Sequence, residues 1–498
     1  MATSRDDTKL TFRKFEDGDH KWDKWTEAIF EGDHSHKCPT YVHRTPPCQG
    51  SCPSGEDIRG WLDIVRGIEQ PPAGISMQEY AFRRSTDANP FPAMMGRVCP
   101  APCQDGCNRN EVEDFVGINA VEQYIGDSAF KEQFKFETGA ELTGKKVAII
   151  GGGPAGMAAA YQLRRRGIAS TIFDDHEKLG GMMRYGIPGY RIPRDELDHE
   201  CQRILDLGDI EFKANTRVGR DVAVEDLEKD YDAILWALGC WTGRGLPVEG
   251  WEETPNCVSA VKFLEQFNKG NLKYTANKVL CVGGGDTSID VVSVSRRIGT
   301  LKDLSEKPED VVNGVTNHGD IDASLKKPCD SVTLTALFPR DQMTAAEHEV
   351  NDAITEGVTI MNEVMPVEII RNEEGRATAL KLVDSKWENN RPVAVEGGKE
   401  YVVECDMIVA AIGQGGEMSG LEDYANERNL IDADKFYQVP NRPGHFVAGD
   451  IVRPHLLTTA IGQASIAAET IDHYLKQEEM RKRPKVDKHH FSLLDKMN

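Results

Sequence analysis

Positive charge is scarce in this sequence. Lys and Arg number 59 against 81 Asp and Glu in 498 residues, a formal charge of −22. Such a surface repels nucleic acid and anionic lipid unless a basic patch intervenes, and Arg164-Arg165-Arg166 is no more than a short basic run. Long hydrophobic runs are also missing. None reaches the ~20 apolar residues a bilayer requires, and the best candidate, Val147 to Leu163, is interrupted by glycines and Pro154. The start, MATSRDDTKLTFRKFEDGDHKWDKW, lacks the apolar core of a secretory signal. The expectation is a cytoplasmic protein without membrane span or nucleic-acid partner, in which the twelve cysteines are reduced. What is present, 39% hydrophobic and 28% charged residues, fits a globular chain of about three domains at ~150 residues each.

The cysteines divide the chain in two. Cys38, Cys48, Cys52, Cys99, Cys103 and Cys107 lie before residue 108, whereas Cys201, Cys240, Cys257, Cys281, Cys329 and Cys405 are single and read as small buried apolar residues. The first six sit in KCPTYVHRTPPCQGSCPSG and GRVCPAPCQDGCNRN, where Pro and Gly hold the backbone in turns that can aim several sulfurs inward. Three residues separate Cys48 from Cys52, Cys99 from Cys103 and Cys103 from Cys107, unlike the CxxC of most zinc ribbons. Thiolates are soft ligands; the spacing favours iron–sulfur and leaves zinc or free thiols open. Between them SGEDIRGWLDIVRGIEQ reads as a helix with a Ser cap and apolar Ile58, Trp61, Leu62, Val65 and Ile68.

From Lys145 the pattern changes to strand, glycine turn, helix and strand. Val147 to Ile150 leads into Gly151-x-Gly153-Pro154-Ala155-Gly156, then an Ala-rich helix, then Ala169 to Phe173 ending at Asp174. This is a dinucleotide-binding fingerprint: the glycines allow a tight turn, backbone approach to a pyrophosphate and close helix–strand packing, and the helix N-terminus faces the phosphates. Asp174 is placed for ribose hydroxyls. A second unit, KVLCVGGGDTSIDVV, carries Gly283, Gly284, Gly285, Asp286 and Thr287, with Ser288 where a third Gly or Ala is usual. An apolar strand running into glycine follows each unit, at Gly239 and at Gly413, so the organisation is an internal duplication. Thr300 to Asp330 is polar and reads as a surface insertion before the strand Ser331 to Leu337.

Near the end, HFVAGDIVRPHLLTTAIGQASIAAETIDHYL places Gly449-Asp450 after a short strand, followed by a helix from about Thr458 that includes Thr459 and Ala460. A carboxylate and a helix N-terminus complete an FAD site, the N-terminus stabilising negative charge on the reduced ring. Two sites suggest FAD in the first and NAD(P)H in the second, since hydride passes between stacked nicotinamide and flavin. After the second unit's strand stands Ala336-Leu337-Phe338-Pro339-Arg340. This is neither the acid that suits a 2′-hydroxyl nor the arginine pair that suits a 2′-phosphate; the reading leans to NADH, with Arg340 as the residue able to reverse it.

GRVCPAPCQDGC, VAIIGGGPAGMAAA, LGGMMRYGIPGYRIPRDEL, VGGGDTSIDV and FVAGDIVR together resemble the small (β) subunit of bacterial glutamate synthase and its relatives. These include the large subunit of the bifurcating ferredoxin transhydrogenase and the N-terminal part of dihydropyrimidine dehydrogenase. KCPTYVHRTPPCQGSCPSGEDIRGWL looks most like the DsrL type, the iron–sulfur flavoproteins that accompany reverse dissimilatory sulfite reductase in sulfur oxidation. The resemblance implies FAD, NAD(P)H and one or two [4Fe–4S] clusters. Cys52, Cys99 and Cys103 would bind the cluster nearer the flavin, with Glu122 as fourth ligand; without the resemblance Glu122 is an ordinary helix glutamate. Cys38, Cys48 and Cys107 would bind an outer cluster. One thiolate of that set is missing, because Tyr41 replaces a cysteine, and His43 is either its substitute or a solvated loop histidine. Gly181, Met182 and Arg184 match the segment along the flavin. Asp286 stands for the family's Asn, and Ala336-Leu337-Phe338 for its Tyr-Arg-Arg, consistent with NADH.

The expected architecture is α/β: a helical iron–sulfur domain over 1–140, an FAD domain over 141–275 and 413–475, an NAD(P)H domain over 276–412 inserted into it, and a charged tail or linker over 476–498. The expected activity is NAD(P)H oxidoreduction with a separate redox partner, the sulfite reductase complex or a large synthase subunit. A non-catalytic assembly subunit is the alternative of another class, and a homodimer is left open.

Overall fold

In the computed structural model, which describes residues 45–302, 307–388 and 391–480, two parallel five-stranded sheets follow a cluster of short helices. Cys38, His43 and most of the expected tail lie outside the described residues. The leading helices are α1 (Ile58–Val65), α2 (Met77–Ser85), α3 (Pro92–Val98) and α4 (Ile118–Lys131). Trp61, Ile64, Phe82, Ile118 and Ile125 form their core, together with Cys52 and Cys103. The cap of α1 is Asp57, whose carboxylate accepts from the Gly60 N–H at 3.2 Å. The expected Ser54 instead donates to Glu56, and Ile68, beyond the helix end, is exposed. α3 and α4 cross with glycine on both sides: a Cβ on Gly96 would lie 2.3 Å from the Gln123 nitrogen, and one on Gly126 2.2 Å from that of Ala93.

The first sheet contains β1 (Lys146–Ile150), β2 (Ala169–Phe173), β3 (Ile210–Lys213), β4 (Ala233–Trp236) and, from far along the chain, β14 (His445–Val447), in the order β14-β4-β1-β2-β3. β1 and β4, inside the sheet, are mostly buried apolar runs, as a parallel sheet covered on both faces requires, whereas the edge strand β3 alternates, with Glu211 and Lys213 exposed. α5 (Pro154–Arg165) packs on α10 (Leu457–Leu475), and the small side chains of Ala158, Ala159, Ala464, Ala467 and Ala468 share one core with Phe91, Met94 and Met95 of the helical region. Glu200 in α6 (Arg194–Leu205) joins the two regions: its buried carboxylate accepts from the N–H groups of Ala93 and Met94 at 2.8 and 3.3 Å.

The second sheet has the order β8-β7-β6-β13-β5, from β5 (Cys257–Ser259), β6 (Lys278–Val282), β7 (Ser331–Thr335), β8 (Thr359–Met361) and β13 (Met407–Ala410). α7 (Ala260–Asn268), α8 (Asp286–Ile298) and α9 (Glu347–Thr355) contribute to its core. β5 pairs with β13, so the inserted unit begins near residue 257, earlier than the expected 276; the three residues Cys257-Val258-Ser259 before a helix gave no sign of which sheet they join. β9 (Val364–Arg371), β10 (Ala377–Glu388), β11 (Arg391–Ala394) and β12 (Glu400–Glu404) form an antiparallel sheet in which the long β10 pairs with the other three, and which the periodicity did not announce. The polar stretch 300–330 is not simply a surface insertion: Val311 and Val312 enter the core, and the buried Glu309 is paired by Arg376. The later cysteines are buried except the half-buried Cys257, and the described cysteines are all free. Among the described residues no helix is long and apolar enough to cross a membrane.

Candidate functional site

The first glycine turn is closed by backbone. Gly151 has φ +114°, and a Cβ there would sit 2.2 Å from the Ala237 carbonyl oxygen. A Cβ on Gly156 would meet the Gly151 oxygen at 1.8 Å. Across the turn Gly181, at φ +51°, comes so close that its Cβ would lie 2.6 Å from Gly153 Cα. Pro154 and Ala155 open α5, whose free N–H groups face this slot. Asp174 ties the turn from β2, accepting from Gly152 N–H at 2.6 Å and from His176 N–H at 2.8 Å. Ile150, Gly151, Asp174, Thr216, Trp241 and Leu421 line the adjoining cavity. Such a cradle, with no room for side chains, fits a dinucleotide pyrophosphate. Gly239, at φ +67°, turns the chain after β4. Met182 begins the turn Met182–Tyr185. Arg184 differs from expectation: its guanidinium is engaged inside the protein by the Leu179 carbonyl and Asp198, and so is not free to reach a cofactor.

Gly449, from the end of the first sheet, closes on the same place. Its N–H donates to Gln463 at 2.8 Å, and a Cβ there would meet Ala155 at 3.0 Å and Ala460 at 3.7 Å. Burial raises the Asp450 carboxyl to about 6, while it accepts from the His455 N–H at 3.2 Å. Thr459 Oγ1 is 2.8 Å from His455 Nδ1.

At the second turn Gly283, φ +156°, would place a Cβ 2.4 Å from the Ala411 oxygen. Ser288 occupies the third position by turning its hydroxyl back to donate to the Gly285 carbonyl at 2.6 Å. The Gly284 carbonyl accepts from Thr344 and Ala345 N–H, both at 3.1 Å. Asp286 accepts from Ala346 N–H at 3.1 Å, and Thr287 follows it in the first turn of α8. Gly413, φ +112°, accepts from Arg244 N–H at 3.0 Å. Arg340 is exposed and donates to Asn351 at 2.8 Å.

Cys52, Cys99 and Cys103 converge on one small cavity, with Glu122, Asn119 and Thr458 in its wall. Burial pushes the Cys52 and Cys99 thiols up to about 12 and Cys103 higher still. A cationic cluster would reverse this by taking the thiolates as ligands. Glu122 is buried, accepts from Asn89 Nδ2 at 2.8 Å, and is held far above the carboxylate range by burial and by neighbouring Glu56. Asn119 Oδ1 and Trp61 Nε1 are buried in this wall without a hydrogen-bond partner among the described residues. Three thiols, an acid and orphaned polar atoms in one apolar cage fit a [4Fe–4S] cluster. Sequence reasoning missed Glu56, which lines the cage from the Cys52 side. Its only signal was an acid inside a Cys-Pro turn. Cys48 and Cys107 lie half-buried on the neighbouring turns Pro47–Ser51 and Asn108–Glu111 or at their edge.

Helix α10 joins this cage to the first turn. A Cβ on Gly462 would lie 2.1 Å from the Pro53 oxygen, Thr458 Oγ1 is 3.9 Å from Cys99 Sγ, and Ala460 borders Gly449.

Residues 145–464 match the pyridine nucleotide-disulphide oxidoreductase family, and residues 13–134 match dihydropyrimidine dehydrogenase domain II, 4Fe-4S cluster. The glutamate synthase [NADPH] small chain of Escherichia coli is 30% identical over 86% of this chain and 89% of its own length. The chain belongs to the glutamate synthase small-chain-like family of pyridine nucleotide-disulphide oxidoreductases. Another member, the NADP(+)-dependent formate dehydrogenase subunit beta of Moorella thermoacetica, is 32% identical over 87% of this chain, which spans 60% of that protein's length. Mycobacterium tuberculosis FprA in complex with NADPH superposes with TM-score 0.53 at 15% identity over 67% of this chain and 85% of FprA, a likeness of fold. As a member of this family the chain is an FAD- and iron–sulfur-dependent NAD(P)H oxidoreductase.

Proposed function

We propose that this oxidoreductase passes electrons between NADH and a separate redox protein, by way of FAD at the first turn and one [4Fe–4S] cluster in the Cys52, Cys99, Cys103 and Glu122 cage. The observation that carries the reading is the first turn of α10, where Thr458 lines the cage and Ala460, two residues on, borders Gly449. Bound FAD exchanges electrons in pairs with nicotinamide and singly with a cluster. The chain's work is alignment. Gly151, Gly153 and Gly156 would let the backbone approach the pyrophosphate, Asp174 would accept from the ribose, and Gly449, Asp450, Thr459 and Ala460 would present the α10 N-terminus to the flavin. Hydride transfer needs no acid or base, and none is assigned.

Gly283, Gly285, Thr287 and Gly413 are the proposed contacts of the nicotinamide nucleotide. The absence of cationic side chains at Ala336-Leu337-Phe338 supports NADH over NADPH, although relatives carry NADPH in their names. For the partner we favour the dissimilatory sulfite reductase complex, on the likeness of residues 37–62 to the DsrL type; a large synthase subunit is the second reading, favoured by the cover of 89% on the glutamate synthase small chain. Cys48 and Cys107, with Cys38 and His43, are the proposed outer-cluster ligands.

Anaerobically purified protein is expected to hold about four iron and four sulfide per FAD, or about eight of each if the outer set also loads. Colourless protein after reconstitution overturns the reading. Retention on native extract distinguishes the partners, by whether sulfite reductase or a synthase subunit is held.

A further inference from the structure

The end of β7 is apolar where a dinucleotide site ordinarily reads the adenosine ribose, and an aromatic pair stands there instead. Phe338, three residues beyond the strand, stacks on Trp387 with centroids 4.8 Å apart and planes at 15°. Trp387 comes from the far end of β10, paired there with Pro392 of β11, so the hairpin reaches the loop that follows β7. The arrangement is fastened. The Phe338 carbonyl accepts from Asn362 Nδ2 at 2.9 Å, and Ser385 N–H donates to the Glu363 carbonyl at 2.7 Å, linking hairpin, β8 end and Phe338 loop. Phe338 also faces the glycine turn: a Cβ on Gly284 would lie 3.7 Å from its ring edge, 3.5 Å from Ala336 and 3.9 Å from Met343. Yet Trp387 remains 41% exposed, one of the large apolar side chains the fold leaves open.

We propose that Phe338 and Trp387 form a shelf for the adenine ring of the nicotinamide nucleotide, so that this site grips its ligand by stacking on the base rather than by charge on the ribose. Every base offers a π-face, and a rigid aromatic pair loses little entropy in meeting it. No cation of the Ala336-Leu337-Phe338 segment is available for a 2′-phosphate, and Arg340 turns to Asn351. The ligand class is therefore an adenine dinucleotide held mainly through its base. This rests on the assignment of the second turn to the nicotinamide nucleotide.

The test is calorimetric titration of the anaerobic, dithionite-reduced holoenzyme, in which no hydride can pass to the flavin, with ADP-ribose, NADH and reduced nicotinamide mononucleotide, repeated in Trp387→Ala and Trp387→Phe. Truncation is expected to weaken ADP-ribose and NADH by the same factor, roughly 5- to 150-fold, the range for loss of one base–aromatic stack. The mononucleotide, which has no adenine, should change less than about twofold, and Trp387→Phe should restore most of the affinity. Undiminished ADP-ribose affinity in Trp387→Ala overturns the shelf alone. Failure of the unaltered holoenzyme to bind either NADH or ADP-ribose overturns the underlying site assignment with it. Equal loss for the mononucleotide also overturns the shelf, since it would mean a general disturbance of the pocket.

Discussion

The two glycine turns share a fingerprint and differ in what surrounds them. The first is walled by backbone on three sides: Ala237 behind Gly151, the Gly151 carbonyl under Gly156, and Gly181 against Gly153. The second keeps the wall behind Gly283 but has no counterpart of the Gly156 contact: its third position has room for Ser288, whose hydroxyl turns back to the Gly285 carbonyl. A closed slot suits a resident cofactor, and an open one suits a ligand that must come and go at every turnover. The surroundings carry the same contrast. At the first turn Asp174 joins a knot of charge around His176, whereas at the second the corresponding place is the apolar Ala336-Leu337-Phe338.

The largest effects are expected from one alanine in each turn, at the closed third glycine of the first and at the second glycine of the second. Gly156→Ala puts a methyl 1.8 Å from a carbonyl oxygen, so the protein is expected to lose most of its FAD and more than about 4 kcal/mol of stability, measured by flavin absorbance and denaturant unfolding. Gly285→Ala should keep FAD and weaken NADH by no more than about tenfold, the effect of a small steric shift of about 1 kcal/mol. Equal loss of FAD in both variants would erase the distinction.

A smaller effect is expected from charge at the second turn. Leu337→Arg supplies one guanidinium where a 2′-phosphate would lie, and one charge-assisted contact of about 1.5 kcal/mol or more should improve NADPH relative to NADH at least about tenfold. Competitive binding of the two nucleotides measures it. An unchanged ratio would place the ribose elsewhere.

The smallest concerns the knot at the first turn. His176 lies 3.2, 2.9 and 3.3 Å from Asp174, Asp175 and Glu265. Burial works against its charge, but the three carboxylates prevail and raise it to about 11. Because the folded value exceeds the unfolded one, near 6.5, its stabilisation is complete below about pH 6.5 and lost as pH rises toward 11. Melting temperature should therefore fall across that window, and His176→Gln should flatten the fall. A histidine resonance titrating near pH 6.5 would contradict it.

Much of this was legible because glycine, cysteine and alanine carry hard constraints. Gly151, Gly156 and Gly283 stand where a Cβ has no room, and the alanines of α5 and α10 are small because the helices touch. Cys52, Cys99 and Cys103 line one cavity, a grouping that the resemblance implied and the spacing alone did not. What stayed hidden depends on distant pairing. β5 is three residues whose sheet is decided by β13, about 150 positions later. Trp387 drew no reading from the sequence, because only the hairpin places it on Phe338. Arg184 was read from its neighbours in sequence, but Asp198, one helix on, takes its guanidinium.

The central claim is that cage and flavin exchange electrons across the first turn of α10. The direct measurement starts from anaerobic, dithionite-reduced protein freed of excess reductant and mixed with NAD+, followed by flavin absorbance and by low-temperature electron paramagnetic resonance. The flavin colour is expected to return and the cluster signal to disappear together, with NADH formed in proportion to the electrons lost, and Cys103→Ala is expected to recover only the flavin share. Return of the flavin colour with the cluster signal intact would contradict it.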